Sequence, residues 1–292
     1  MKPQIVFIGT SASMPTHLRS SPAVLVCSFR TCILLDVGEA AQVNLGRVGI
    51  DLLKIGIIGV THMHGDHYYG LVPLIDTVRM RVSSQDARNQ HTIRILGPKD
   101  LCLLFNKSSV YEGGEEYCYN TAGGCLVKTE CIDAKALSSG RDSVRTFNGE
   151  ITVAPVAVSH GDIESYGYIA RVKVCEKAEN YITVFYSGDG ICDGECIDVL
   201  RGFSPCVVIH EATFIDYESD RSKARQTFHA TVGDAALLAQ SVAAKILVIT
   251  HVSPRYRADW IKDYFSRARR VFSGDVAIAE DLSVLPLDLI SC

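Results

Sequence analysis

The sequence predicts an α/β fold, with strands and helices mixed along one domain of residues 1–292. Three observations carry this. Short apolar runs rich in β-branched side chains recur through the chain, bounded by Gly, Asp and Ser. Stretches with apolar spacings of three and four lie between several of them. No internal repeat, long linker or low-complexity tract divides the chain.

The strand candidates are 5–9, 23–27, 32–38, 55–62, 92–97, 151–160, 181–189, 206–214 and 245–251. Helical spacing is found over 40–50, 69–80, 99–106 and 231–244, and a basic last helix is expected near 257–270. The stretch 107–131, rich in Gly, Cys and Tyr, shows no period. From residue 55 onward every strand candidate except 92–97 ends in or carries a His, Asp or Glu: His62, His160, Asp189, Glu211 and His251. Strands laid side by side would gather these side chains along one sheet edge.

With 47% hydrophobic and 21% charged residues, the composition is that of a soluble globular protein. A net charge of −4 argues against binding nucleic acid through overall charge, so such a ligand would need a local basic patch or a metal. The N-terminal apolar run IVFIG is too short for a secretory signal, and no run approaches the roughly 18 apolar residues of a membrane span. A cytoplasmic protein is expected. Most of the 11 cysteines then read as small buried hydrophobes. Cys192 and Cys196 are close enough to pair, as are some of Cys118, Cys125 and Cys131, although intracellular disulfides are chiefly a feature of hyperthermophiles.

THMHGDH (61–67) is the most informative stretch. In an extended segment His62 and His64 point the same way, and Gly65 would permit a tight turn that sends Asp66 and His67 elsewhere. One loop can thus offer two ligands to each of two metals, with His160, Asp189 and His251 to complete the set. A lone strand-end His is usually a hydrogen-bonded structural residue. A cluster of this density without metal would leave several buried polar groups unpaired.

FIGTSASMPTHLRSSPA, LLDVGEAAQVNLGRVGI, THMHGDHYYGL, ILGPKDL, VSHGDIESYGY, YSGD, IHEATF, FHATVGDAALLA and THVSPRY follow one another in that order. In these segments the chain resembles the ribonuclease Z family of the metallo-β-lactamase superfamily. The resemblance implies a four-layer αβ/βα sandwich with two mixed sheets and helices outside. It also implies two zinc ions per subunit: His62, His64 and His160 at the first, Asp66, His67 and His251 at the second, with Asp189 bridging. His/Asp ligands also accept Mn2+ or Fe2+. By the same resemblance Asp66 is the proton acceptor, Glu211 with His229 serves the leaving group, and Asp36 and Gly38 brace the site. Precursor tRNA is the implied substrate and a homodimer the implied assembly. His17, His91 and His210 match no ligand position and are read as structural.

The implied activity is endonucleolytic removal of the tRNA 3′ trailer, leaving a 3′-OH and a 5′-phosphorylated trailer. Arg255, four residues beyond His251, is a candidate phosphate contact. The cations of 255–270 (Arg255, Arg257, Lys262, Arg267, Arg269, Arg270) could line an RNA backbone or form only the solvated face of a helix. FHATVGDAA also reads as a helix start capped by Thr231. One feature departs from the family. Many members carry a tRNA-binding arm between the Gly-Tyr and Ser-Gly-Asp segments, and here Tyr168 and Ser187 are separated only by residues 169–186. An arm-less relative hydrolysing small phosphodiesters or sulfate esters is therefore the alternative. A di-iron redox enzyme of the same fold is disfavoured, because that group typically has Glu where His64 stands.

Overall fold

The computed structural model of the protein describes residues 1–85, 91–107, 116–121, 124–137, 142–256 and 260–291. The first sheet is built from β1 (Gln4–Gly9), β2 (Ala23–Cys27), β3 (Cys32–Leu35), β4 (Ile55–Gly59), β5 (His91–Gly97), β6 (Glu116–Thr121) and β7 (Gly124–Asp133). The second is built from β8 (Val144–Arg145), β9 (Ile151–Ala157), β10 (Tyr166–Lys173), β11 (Tyr181–Tyr186), β12 (Val207–Glu211), β13 (Ile246–Thr250) and β14 (Asp275–Ile278). The last strand, β15 (Val284–Pro286), returns to the first sheet beside β1. Among the described residues the first sheet runs β15-β1-β2-β3-β4-β5-β7-β6 and the second β14-β13-β12-β11-β10-β9-β8. Both are mixed, with parallel pairs from β3 to β5 and from β11 to β14.

The helices are α1 (Ala41–Arg47), α2 (Gly65–Tyr68), α3 (Leu71–Gln85), α4 (Lys99–Lys107), α5 (Gly194–Phe203), α6 (Glu218–Thr227), α7 (Val232–Ser241) and α8 (Ile261–Ala268). Three apolar cores separate the layers. Ile5, Phe7, Ile33 and Leu35 meet Val153, Tyr168, Val184 and Ile209 between the sheets. Val6, Ile8 and Leu34, the alternate positions, pack instead with Leu45, Leu74 and Val78 of the helices on the first sheet. Val208, Leu247 and Ile249 pack with Leu200, Ala235, Ala239 and Tyr264 on the far side of the second. Strands covered on both faces read as continuous apolar runs, which is why they stand out in the sequence. The expected αβ/βα sandwich is the observed one.

Several expectations change in detail. The strands leading to His62, His160, Asp189 and His251 stop one to three residues short of them, so these side chains sit on loops beyond the strand ends. The backbone leaves the ladder there: Gly188 and His251 have φ of 58° and 56°. The stretch 107–131 holds the antiparallel pair β6–β7, with the rest of its residues before Lys128 largely outside the described set. Its mixed polar and apolar residues hide the strand period, as suits a pair at a sheet edge. Cysteines are more often bonded than expected. Cys27–Cys32 and Cys192–Cys196 are disulfides, and Cys131 pairs with Cys102, not with Cys118 or Cys125, whose side chains lie outside the described residues. The antiparallel register that sets Cys27 opposite Cys32 could not be read from spacing alone.

β10 and β11 form a direct hairpin from Tyr168↔Tyr186 to Lys173↔Tyr181, closed by residues 174–180, with no arm inserted. Tyr168 joins the sheets: its buried Oη donates to Val60 O at 2.7 Å and lies 2.9 Å from Leu96 O. Tyr168→Phe is expected to lower the unfolding free energy by about 1–2 kcal/mol in urea denaturation, with the fold kept.

Candidate metal centre

Loops following β3, β4, β9, β11, β12 and β13 bring the candidate residues to one edge of the two sheets. The turn expected at Gly65 takes the form of a single helical turn, α2, and a Cβ on Gly65 would meet the exposed Tyr69 ring at 2.3 Å. Asp66 and His67 therefore project from a helical turn, and His62 and His64 from the approach to it, with His62 Nε2 2.9 Å from His64 Nδ1.

The hydrogen bonds set the imidazole protons. The Thr61 hydroxyl donates to Asp36 Oδ2, so at 2.9 Å it accepts from His62 Nδ1. His67 Nδ1 donates to Asp36 Oδ2 at 2.7 Å, and His160 Nδ1 donates to Phe228 O at 2.9 Å. The Thr213 hydroxyl donates to Glu211 Oε2, so it accepts from His251 Nδ1 at 2.8 Å. In each ring Nδ1 is bound to protein and Nε2 is left with its lone pair. This is the arrangement of metal-ligating histidines, whose other nitrogen is held by a protein acceptor.

Asp189 lies at the middle. Its Oδ1 is 3.2 Å from His67 Nε2 and 3.1 Å from His251 Nε2, while Oδ2 is 3.8 Å from His62 Nε2. Asp66 Oδ2 is 3.6 Å from His67 Nε2 and 4.0 Å from His251 Nε2. Two sets result, each with ligand atoms within 4.8 Å of one another: His62, His64, His160 and Asp189, and Asp66, His67, His251 and Asp189. Asp66 Oδ2, His67 Nε2, His160 Nε2, Asp189 Oδ1 and His251 Nε2 are all buried without a hydrogen-bond partner. So many unpartnered buried atoms in one place are costly unless a cation satisfies them, and the donor set of imidazole and carboxylate fits two zinc-like ions.

The electrostatics agree with a site prepared for positive charge. Burial pushes the Asp189 carboxyl up, but His251 and His67 together hold it well below the usual carboxylate range. Burial also depresses His62 well below the ordinary imidazole range, with the neighbouring His67 adding to the effect. His67 goes the other way: burial opposes its charging, yet Asp189 and Asp36 raise it well above the ordinary value.

Glu211 is different in kind. Oε1 accepts from Ala230 N at 2.6 Å and His229 Nδ1 at 3.1 Å, and Oε2 accepts from Thr213 N and Oγ1, both at 2.8 Å. Its acceptors are occupied, so its grouping with His229 and His251 is a hydrogen-bonded pair beside the centre and not a third ion site. Burial lowers His229, but the hydrogen bond and charge of Glu211 outweigh it and raise the imidazole above its ordinary value. Arg255 is exposed, its guanidinium 4.5 Å from the Phe214 ring centroid, and it lines a cleft with His229, Thr213 and Met14. Thr231 caps α7 as expected, accepting from Asp234 N. Of the basic segment, Arg267 is committed to Asp216 O and the Tyr217 ring, and Arg257 lies outside the described residues.

Sequence reasoning missed the bracing residues Thr61, Thr213 and Tyr186. All three lie inside quoted motifs, Thr61 in THMHGDH, Thr213 in IHEATF and Tyr186 in YSGD, and that position was the local signal available. Asp36 and Gly38 were singled out, and the structure shows why they brace. Asp36 accepts from Thr61 N, Thr61 Oγ1, His67 Nδ1 and Tyr186 Oη. Gly38 packs so closely that a Cβ would stand 2.3 Å from Asp66 O.

A family model described as Anti-Pycsar protein Apyc1 matches residues 3–267. Ribonuclease Z of Saccharolobus solfataricus (strain ATCC 35092 / DSM 1617 / JCM 11322 / P2) is 30% identical over 325 aligned positions, covering 97% of this chain and 99% of its own. The chain belongs to the ribonuclease Z and Apyc1 family. Among solved structures, human tRNase Z, short form, is 26% identical with a TM-score of 0.67, covering 97% of this chain and 98% of its own. The metallo-β-lactamase-fold protein YhfI from Bacillus subtilis, 20% identical with a TM-score of 0.70 and covering 97% of this chain and 98% of its own, shows the same fold. The ribonuclease Z alignment is longer than this chain of 292 residues, so the relative carries segments that are missing here.

Asp36→Ala would leave His67 Nδ1, the Thr61 amide and hydroxyl, and Tyr186 Oη without their acceptor. Zinc affinity of the metal-stripped protein is expected to fall about 10–100-fold in isothermal titration. An unchanged affinity would mean that His67 is oriented without Asp36.

Proposed function

We propose that the chain is a metal-dependent endoribonuclease that removes the 3′ trailer of precursor tRNA. The observation carrying this reading is the set of buried, unpartnered ligand atoms around Asp189. Beside it lies the Glu211–His229 pair. In this reading His62, His64 and His160 hold one ion, Asp66, His67 and His251 the other, and Asp189 spans both. Two zinc ions, or Mn2+ or Fe2+ in their place, would supply Lewis-acid stabilisation of the phosphoryl oxygens and lower the pKa of a bound water to about 7.

The chain's own groups then handle the protons. Asp66 accepts the proton of the attacking water. His229, with Nδ1 held by Glu211, carries a proton on its other ring nitrogen and passes it to the departing 3′-oxygen. The products are a tRNA 3′-OH and a 5′-phosphorylated trailer. Arg255, exposed on the cleft wall beside His229 with its guanidinium over the Phe214 ring, contacts a phosphate of the substrate. The reading extends to a cytoplasmic homodimer built from one 292-residue domain without an arm. Among the described residues no helix is long and apolar enough to cross a membrane.

A second reading, hydrolysis of small phosphodiesters or sulfate esters by the same centre, is favoured by one observation. The β10–β11 hairpin closes through residues 174–180, so no arm to grip a tRNA body is inserted between these two strands. The match to the Apyc1 family model, which spans most of the chain, is compatible with it.

Purified protein incubated with 3′-extended precursor tRNA, beside bis-p-nitrophenyl phosphate, separates the two. A cut at the base of the trailer, abolished by chelation and by Asp66→Ala, is expected. Turnover of the small diester with intact precursor tRNA would transfer the function to the second reading. His229→Ala is expected to lower kcat about 10²–10⁴-fold while the protein still binds zinc. Loss of zinc in that variant would count against a proton-transfer role.

A further inference from the structure

Phe228 sits between two parts of the candidate centre. His229 follows it in the chain, and the Phe228 carbonyl accepts from His160 Nδ1 at 2.9 Å. The His160 and His229 ring centroids are 5.1 Å apart. Hydrogen bonds fix the segment: His229 N donates to Ala224 O at 2.9 Å, and Ala230 N donates to Glu211 Oε1 at 2.6 Å.

The backbone here does not suit phenylalanine. Phe228 closes α6 at φ 56° and ψ 37°, the left-handed conformation in which a helix commonly ends on glycine. A Cβ in that conformation strains the backbone. Strain of this kind gathers at functional sites, where the side chain is needed for something other than the local fold. Full burial is not the gain, since Phe228 remains 50% exposed.

The ring is nevertheless held in one orientation. A Cβ on Gly161, the residue after His160, would stand 2.7 Å from Phe228 Cδ2, 2.9 Å from Cε2 and 3.1 Å from Cγ. Distances so even put that point over the ring face, because a point beyond the edge would be far closer to one carbon than to its neighbours. Gly161 thus backs one face, and the opposite face is the exposed one. It borders His160 and His229, and a planar group lying parallel to it would stack there. The flanking Thr227 and His229 line the cleft that holds Arg255.

We propose that Phe228 is a specificity-determining residue, whose exposed face stacks on a planar ring carried by one of the two groups esterified to the hydrolysed phosphate. The proposal rests on the phosphodiesterase reading above and names its substrate class: diesters with an aromatic or heteroaromatic ring near the phosphate, in preference to aliphatic diesters. Two sources share that chemistry, the base of a nucleotide and the ring of an aryl ester.

Isothermal titration of the zinc-loaded protein with product-like monoesters reads the stacking without turnover. Phenyl phosphate is compared with methyl phosphate for the aryl source, and uridine 5′-monophosphate with ribose 5-phosphate for the nucleotide source. In at least one pair the wild type should bind the planar member about tenfold more tightly, and that pair identifies the source. Phe228→Leu, apolar but not flat, and Phe228→Gly should abolish the preference, and Phe228→Tyr should keep it. A disturbance of His160 would weaken both members of a pair alike and leave their ratio unchanged. Phe228→Gly should unfold near the wild-type urea midpoint, because relief of the left-handed backbone offsets the lost contact with Gly161. Hydrolysis of bis-p-nitrophenyl phosphate and precursor tRNA is followed in parallel.

Hydrolysis with no preference in either pair would overturn the stacking role and leave the phosphodiesterase reading standing. So would a preference that Phe228→Leu and Phe228→Gly retain, or one that Phe228→Tyr also loses. A preference lost in the first two variants and kept in the third, with no diester hydrolysed, would support the stacking role and overturn the phosphodiesterase reading. Neither binding nor hydrolysis would overturn both.

Discussion

The Asp36 carboxylate is the constraint on which the rest of the centre depends. It is fully buried, its backbone sits at φ 56°, and four donors converge on it. A buried carboxylate is tolerable only when hydrogen bonds replace its lost hydration. Here those bonds also do geometric work. Thr61 ties the carboxylate to the loop after β4, Tyr186 ties it to β11 of the opposite sheet, and His67 carries its orientation into the centre. The backbone repeats the tie, with Val37 N donating to His67 O and Gly70 N to Val37 O. Two sheets that meet mainly through apolar side chains are thus pinned together at the edge where the candidate residues converge.

Hydrogen-bond saturation separates the two kinds of buried carboxylate. Asp36 and Glu211 have their acceptors occupied by protein donors, so their charge is spent on orienting neighbours. Asp189 Oδ1 and Asp66 Oδ2 have none, and they face imidazole nitrogens that also lack partners. Neutral imidazoles facing these oxygens meet them acceptor to acceptor, a contact that is stable only when positive charge is added, as a proton, which Asp189 and Asp36 favour on His67, or as a cation. That mismatch is the structural argument for cations between them, and it stands apart from any family resemblance.

The scaffold is that of the relatives the chain matches, and the substrate question lies in the loops around the centre. A fold does not fix a function, since specificity is built from loops placed on it. In this chain the Glu211–His229 pair lies beside the centre, β10–β11 closes as a plain hairpin, and Arg255 lines a cleft that adjoins a second cavity. Those features favour contacts close to the scissile bond over contacts to a distant body.

The amino-acid sequence by itself determined the α/β alternation, because strands buried on both faces leave unbroken apolar runs, as in CILL and AVLVC. It also made the ligand candidates legible, because four of the seven fall within residues 62–67, and the others follow strands at their C-terminal ends. It passed over β6 and β7, because β6 at the sheet edge and its neighbour β7 lack a clean period. The partners of each imidazole were decided only by the tertiary structure. Asp36 and Tyr186 are 150 residues apart and meet across two sheets, and His160 is held by a carbonyl 68 residues away. Contacts of that span leave no periodic trace, because a hydrogen bond needs one atom in the right place and not a repeating pattern.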